Sequence, residues 1–269
     1  MEEMLDLDAL QKALTGTVFD RHLHLFSSIE STNTYAMQEA AKGAPHGSVY
    51  IAEEQTAGRG RGDHAWHSEP YTGIYVSILV RPQLAAADGL WLSLATGLAV
   101  QQGIDNVTGL VTDIRWPNDL VLKGRKVGGI LMEMNADASH IRYAVVGIGI
   151  NVNQGIFPAE LAREATSLRL ESDRRVQRED LLVDVLQCLR NEFNSLIQPD
   201  SFAAACVGIL GRLETKSTWI RGKRVFVDEA GGYTGVTAGL DEKGFLLVQT
   251  DAGVRRVLSG GVRDRFAKG

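Results

Sequence analysis

The stretch EEQTAGRGRGDHAWHSEP, residues 53–70, alternates Gly58, Gly60 and Gly62 with Arg59 and Arg61. Stability does not ask for that pattern, because glycine loses the most backbone freedom on folding and neighbouring cations repel. Chemistry can ask for it. Successive glycine N–H groups make a nest for an anion, and arginine forks grip phosphate or carboxylate bidentately. A loop of this kind can close over a ligand and exclude water. The Lys-Ser/Thr pair of a Walker phosphate loop is missing after the last glycine. Taken alone, the stretch reads equally well as a solvated turn with incidental arginines.

Three further stretches carry polar chemistry in unusual places. In RWPNDLVLKGRKVGGILMEM, residues 115–134, Pro117 sets a turn, Asn118 and Asp119 begin a strand, and Lys126 opens an apolar one. A lysine at the mouth of a buried strand, followed by Gly128 and Gly129, can point into a pocket where ligand lies against backbone. The plain alternatives are an exposed hairpin lysine and an ordinary turn aspartate. GIGINVN, 147–153, places glycines inside a β-branched strand and adds the amides of Asn151 and Asn153. That pattern marks close backbone approach or an edge bulge. In ESTNTYA, 30–36, Ser31 and Thr32 are N-caps, or hydroxyls set beside free N–H groups for a polar ligand.

The elements that must hold these residues follow from periodicity. Helices are expected at 6–14, at about 33–42 after Ser31 or Thr32, at 88–104, at about 178–197, and from Ser201 to Leu210. Strands are expected at 22–29, 47–55, 73–82, 111–116, 119–123, 126–134 and 140–152. Successive strands with few crossover helices indicate an α+β domain, a mixed, largely antiparallel sheet backed by helices. From Glu214 the pattern becomes strand, turn, strand, with turn signals at Arg221-Gly222, Gly231-Gly232, Glu242-Lys243-Gly244 and Ala252-Gly253. That implies a small C-terminal β-barrel of SH3 type, dividing the chain into domains 1–213 and 214–269.

Composition narrows the partners. The 269 residues carry 28 basic and 33 acidic side chains, a net charge of -5, with 44% hydrophobic residues. An acidic body argues against a nucleic-acid partner, and a local cationic loop on it suits a small anion. Cys188 and Cys206 are far apart and lack metal-ligand spacing, which fits a reduced, cytoplasmic setting and no protein-held metal. No apolar run of about 18 residues indicates a membrane span. The start, MEEMLDLDAL, lacks a signal-peptide pattern.

Together, in this order, the stretches resemble the biotin–protein ligases, also called biotin–acetyl-CoA-carboxylase ligases. The matching pieces are STN at 31–33, QTAGRGRG at 55–62 followed by Trp66, RWPNDL at 115–120, KVGGIL at 126–131 and GIGINVN at 147–153. ATSL at 165–168 and the C-terminal GLDEKGFLLV…SGG are similar too, so the resemblance runs from about residue 20 to the C-terminus. It implies a catalytic fold like that of class II aminoacyl-tRNA synthetases. It also implies ATP-dependent joining of biotin to AMP, then transfer to a lysine of a biotin carboxyl carrier protein domain.

The resemblance also distributes roles. Lys126, Arg59, Arg61 and Asp119 are implied to be catalytic. Ser31, Thr32, Asn33, Gln55, Gly58, Gly128 and Gly129 would bind biotin together with Arg59, Arg61 and Lys126. Trp66, Asn118 and Asn151 would join Arg61 and Lys126 around ATP and the adenylate. Mg²⁺ is expected to bridge ATP phosphates, not to sit in a protein cage. Relatives dimerise through the central sheet, so a homodimer is implied. One departure is Asp63, which stands where such proteins tend to have glycine and would add negative charge to the lid. The rival readings are a lipoate or octanoate ligase, which shares the fold and a strand lysine, a DNA-binding repressor, and a binding module whose catalytic site has decayed. Only about 20 residues precede the first expected strand, which leaves no room for a helix-turn-helix.

Overall fold

The structure, a computed structural model, describes residues 3–62, 64–258 and 261–264. Asp63 and the Ser259-Gly260 part of the C-terminal motif lie outside the described residues. Chain order begins α1 (Leu7–Ala13), β1 (Leu23–Phe26), α2 (Thr32–Ala41), β2 (Val49–Ala52), β3 (Ile74–Val80) and α3 (Leu90–Thr108). It continues β4 (Asp113–Arg115), β5 (Asp119–Leu122), β6 (Arg125–Ala136), β7 (Ile141–Ile150), α4 (Leu168–Ser172), α5 (Arg178–Leu196) and α6 (Pro199–Lys216). The last strands are β8 (Arg221–Asp228), β9 (Tyr233–Leu240), β10 (Leu246–Thr250), β11 (Gly253–Arg256) and β12 (Gly261–Asp264).

Among the described residues, seven strands form a sheet in the order β1-β2-β3-β7-β6-β5-β4. Only β1 and β2 run parallel, so the sheet is mixed and largely antiparallel as expected. The strands alternate between two covered faces. Ile130 and Ile148 are register partners, and Ile130 reaches Gly97 of α3. Their neighbours Leu131 and Gly147, also partners, face the other way, where Asn33 of α2 lies against Gly147. The α3–α5 layer therefore carries the main core, with Leu92, Ile104, Leu182 and Leu186 fully buried. The α2 side carries a smaller cluster of Ala36, Ala40, Tyr50, Leu79 and Val145. Ser31 caps α2 by accepting from the Thr34 amide at 3.4 Å. The β5–β6 turn is Lys123-Gly124, both at positive φ, which suits the twist of a two-residue hairpin.

Strands β8 to β12 form the second, antiparallel sheet, in the order β11-β10-β9-β8-β12. It is seated on the first sheet. The Trp116 indole N–H donates to the Gly244 carbonyl at 2.9 Å, and the Ser217 hydroxyl donates to the Ile114 carbonyl at 2.6 Å. Two expectations change here. Arg221-Gly222 is not a turn but a bulge inside β8, where the register shifts and Gly222 takes φ +80°. Helix α6 continues past Leu210 to Lys216, because Cys206, Ile209 and Leu213 keep one face buried in spite of Gly208 and Gly211. The helix therefore runs through the expected boundary at 213/214.

Candidate functional site

Two glycines opposite one another make the floor of the site. Gly129 of β6 and Gly149 of β7 are register partners on the α2 side of the sheet. Strand β7 lies between β3 and β6, so its glycines are not an edge bulge. The Trp66 ring rests on them: a Cβ on Gly149 would stand 2.5 Å from Trp66 Cε2, and one on Gly129 would stand 2.9 Å from Cζ3. Neither position tolerates a side chain while the ring is there.

Trp66 is delivered by the glycine–arginine segment, which is a small hairpin finger and not an open loop. Arg59 and Ala65 form an antiparallel bridge. The Gly60 N–H donates to the His64 carbonyl at 2.7 Å, and the Trp66 N–H donates to the Gly58 carbonyl at 2.8 Å. The two arginines leave the finger in different directions. Arg61 turns inward and donates to Asn118 Oδ1 at 3.0 Å. Burial lowers its pKa from the ordinary value, while Asp119 acts the other way. Arg59 turns to Glu133 of β6, with Nη2 2.7 Å from Oε2.

At one end of the floor stands a charge hub. Lys126 Nζ lies 2.6 Å from Asp119 Oδ1, and Arg115 donates to Asp119 Oδ2 from Nη2 at 2.6 Å and from Nε at 3.1 Å. Burial opposes ionisation of Asp119, but Lys126 and Arg115 outweigh it and hold the carboxyl below its usual range. Lys126 Nζ also sits 5.3 Å from the Trp66 ring centroid, within cation–π range. The start of the ATSL segment and the residue before it fix this lysine's backbone: Lys126 N–H donates to Glu164 O, and Thr166 N–H donates to Lys126 O. Arg115 lies over the Trp219 ring at 5.5 Å, linking the hub to the segment that leads into the second sheet.

The other end is a buried polar pocket. Gln55 Oε1 accepts from the Thr32 amide at 2.9 Å and from its hydroxyl at 3.0 Å, and Gln55 Nε2 donates to Ser68 Oγ at 3.1 Å. The Ser77 hydroxyl donates to Asn33 Oδ1 at 2.6 Å. Asn33 Nδ2 in turn donates to Glu133 Oε2 at 2.9 Å and to the Leu131 carbonyl at 3.1 Å.

Ser31, Thr32, Asn33, Gln55, Arg59, Arg61, Trp66, Asn118, Lys126 and Gly129 line one common cavity. Gly58, Asp119, Gly128 and Asn151 do not line it. Gly58 supports Trp66 through the finger, Asp119 holds Lys126, and Gly128 packs beside Leu120. The Asn151 amide is spent on the Thr166 carbonyl at 3.0 Å. Asn153 brackets Val176 with both amide atoms. Glu133, Ser77 and Arg115 were not expected from sequence. Ser77 had a local signal, a hydroxyl in the middle of the apolar strand GIYVSILV. The cavity encloses about 40 Å³, whereas sites for small organic ligands run to about 300–1,000 Å³. The described residues hold no group of three or more His, Cys, Asp or Glu side chains suited to a metal ion.

Residues 25–151 match the biotin/lipoate A/B protein ligase family, and residues 222–262 match the biotin protein ligase C-terminal domain. The chain is 34% identical over 260 residues to the bifunctional ligase/repressor BirA of Bacillus spizizenii, spanning 93% of this chain and 76% of that protein. It is 38% identical over 173 residues to the biotin–acetyl-CoA-carboxylase ligase of Mycobacterium tuberculosis, 61% of each. The structure of biotin protein ligase from Aquifex aeolicus in complex with biotin and ATP superposes with a TM-score of 0.74 at 30% identity, over 90% of this chain and 97% of that one. With the glycine floor and the charge hub inside the first matched segment and most of the second sheet inside the other, the chain belongs to the biotin/lipoate A/B protein ligase family, and within it to the biotin protein ligases.

Proposed function

We propose that this chain activates biotin with ATP, releasing pyrophosphate, and transfers the biotin to a lysine of a biotin carboxyl carrier protein domain. One observation carries the reading: Lys126 and Arg61 converge at one end of a backbone-floored groove whose other end is polar and buried. In the first step a biotin carboxylate oxygen attacks the α-phosphorus, and the bond to the bridging oxygen of pyrophosphate breaks. Both reactants are anions, so the step needs fixed positive charge in a dry site. Lys126 and Arg61 supply it, and Mg²⁺ bound with ATP would neutralise further phosphate charge. Asp119 stays ionised and steers the Lys126 ammonium. Trp66 covers the groove and packs against the bound adenylate. In the second step the carrier amine attacks the biotinyl carbonyl, AMP departs, and the amine loses a proton.

The polar end favours biotin over lipoate. Ser31, Thr32, Asn33 and Gln55 present hydroxyls and amides that a ureido ring can satisfy. A dithiolane ring has no polar group with which to exchange hydrogen bonds, so any of their mutual bonds that it displaced would go uncompensated. A homodimer and a cytoplasmic setting complete the reading; the latter is supported by the two free cysteines, Cys188 and Cys206. The test is ATP-dependent formation of biotinyl-AMP and pyrophosphate, followed by labelling of a carrier domain, with lipoate as the competing acid. Lys126→Ala is expected to abolish adenylate formation. Full activity in that variant, or equal use of lipoate, would overturn the assignment.

A further inference from the structure

Glu133 does not line the groove, but it stands next to two residues that do, Arg59 and Asn33, at the rim of a site that must gather anions. It projects from the middle of β6 on the α2 side, opposite Val145. Its own charge would repel both a carboxylate and a phosphate. The structure shows what occupies it: Oε2 accepts from Arg59 Nη2 at 2.7 Å and from Asn33 Nδ2 at 2.9 Å. Asn33 is 4% exposed and is itself oriented by Ser77, so Glu133 is aimed by a buried network and not by chance surface contact. Arg61, two residues along the same finger, points instead at Asn118 beside the charge hub.

We propose that Glu133 is the latch of the finger formed by residues 58–62 and 64–66, so that the two arginines divide the work: Arg61 serves the reacting anions, and Arg59 fastens the finger over them. Both Arg59 and Glu133 are then positioning residues. The proposal takes the ligand under the finger from the function proposed above. A two-stranded hairpin is marginal by itself in water. The finger's own bonds, at Gly60 and Trp66, therefore depend on its being held against the sheet. A pair this exposed, 47% for Arg59 and 27% for Glu133, has a modest effect, so its loss is a change of degree.

Two measurements test it. Amide exchange at Gly60 and Trp66 in the ligand-free protein is expected to be about two- to fivefold faster in Glu133→Gln, the range such a pair is worth. Escape of preformed biotinyl-AMP is expected to accelerate by a similar factor in Glu133→Gln and in Arg59→Gln. The double variant should be no faster than either single, because the two changes remove one shared contact. Wild-type exchange and escape rates in Glu133→Gln, or single effects that multiply in the double variant, would overturn the latch. A wild-type protein that makes no biotinyl-AMP would overturn the proposed function, while the exchange comparison still decides the latch.

Discussion

Replacing Asp119 by asparagine keeps the shape of the charge hub and removes its centre. In the native protein one carboxylate satisfies Lys126 at 2.6 Å and two nitrogens of Arg115 at 2.6 and 3.1 Å. The side chains are 16%, 32% and 22% exposed respectively. An exposed ion pair contributes about 0.2–1 kcal/mol, and breaking a buried one costs about 3–5 kcal/mol. The hub lies between those limits, so Asp119→Asn is expected to destabilise by about 2 kcal/mol at neutral pH. For a chain of this size that is a fall in melting temperature of roughly 4–8 °C. The loss has a pH signature. The folded carboxyl is held below its usual range, so its contribution is fully present above the unfolded value of about 4 and disappears as pH falls through the lower folded value. Urea denaturation of both proteins from about pH 7 down to about pH 3 is the assay, with the gap between them constant at first and then closing. A gap below about 0.5 kcal/mol at neutral pH, or one that does not narrow under acid, would refute the reasoning.

Gly149→Ala is expected to collide with Trp66, since the added Cβ would lie 2.5 Å from Cε2 and 2.7 Å from Nε1. Because the half-buried ring can yield, stability should fall by only about 1 kcal/mol, while KM for biotin rises about tenfold; an unchanged KM would mean the floor is not where ligand lies. Arg178→Met leaves Glu53 charged at 0% exposure, opposite a guanidinium that also holds the Gly73 and Glu3 carbonyls. Chemical denaturation should show a loss of about 3–5 kcal/mol, largely recovered by adding Glu53→Leu. A double variant no more stable than the single would show that the stranded charge is not the cause.

Much of the frame was legible because it is written locally. The β-branched and aromatic runs around 74–80 and 141–150 and the cap at Ser31 fall where the strands and helix form. Lys126 was locally ambiguous, since a cation opening an apolar strand before two glycines reads as well as an exposed hairpin lysine, and only the order of the surrounding stretches singled it out. What the local pattern hid was pairing over long separations. Glu133 meets Arg59 across 74 positions, and Glu53 meets Arg178 across 125. Nothing in either neighbourhood marks the partner. The finger was hidden for a related reason: a glycine-rich run reads as open loop, and only the bridge from Arg59 to Ala65 makes it a hairpin. Asn151 has a partner its neighbourhood does not announce either: its amide donates to the Thr166 backbone, fifteen positions away. Arg221-Gly222 misled because a positive-φ glycine serves a bulge as well as a turn.

The floor of Gly129 and Gly149 makes the site's adaptability one-sided. Bare backbone is already the lowest surface a sheet can offer, so no substitution there can deepen the groove. Every change at those two positions makes it shallower. Room for a bulkier acid must therefore come from the opposite wall, where Trp66 can be trimmed or its finger reshaped. Drift and design meet the same asymmetry: substrate range can widen through the finger, while the sheet beneath it sets a fixed limit.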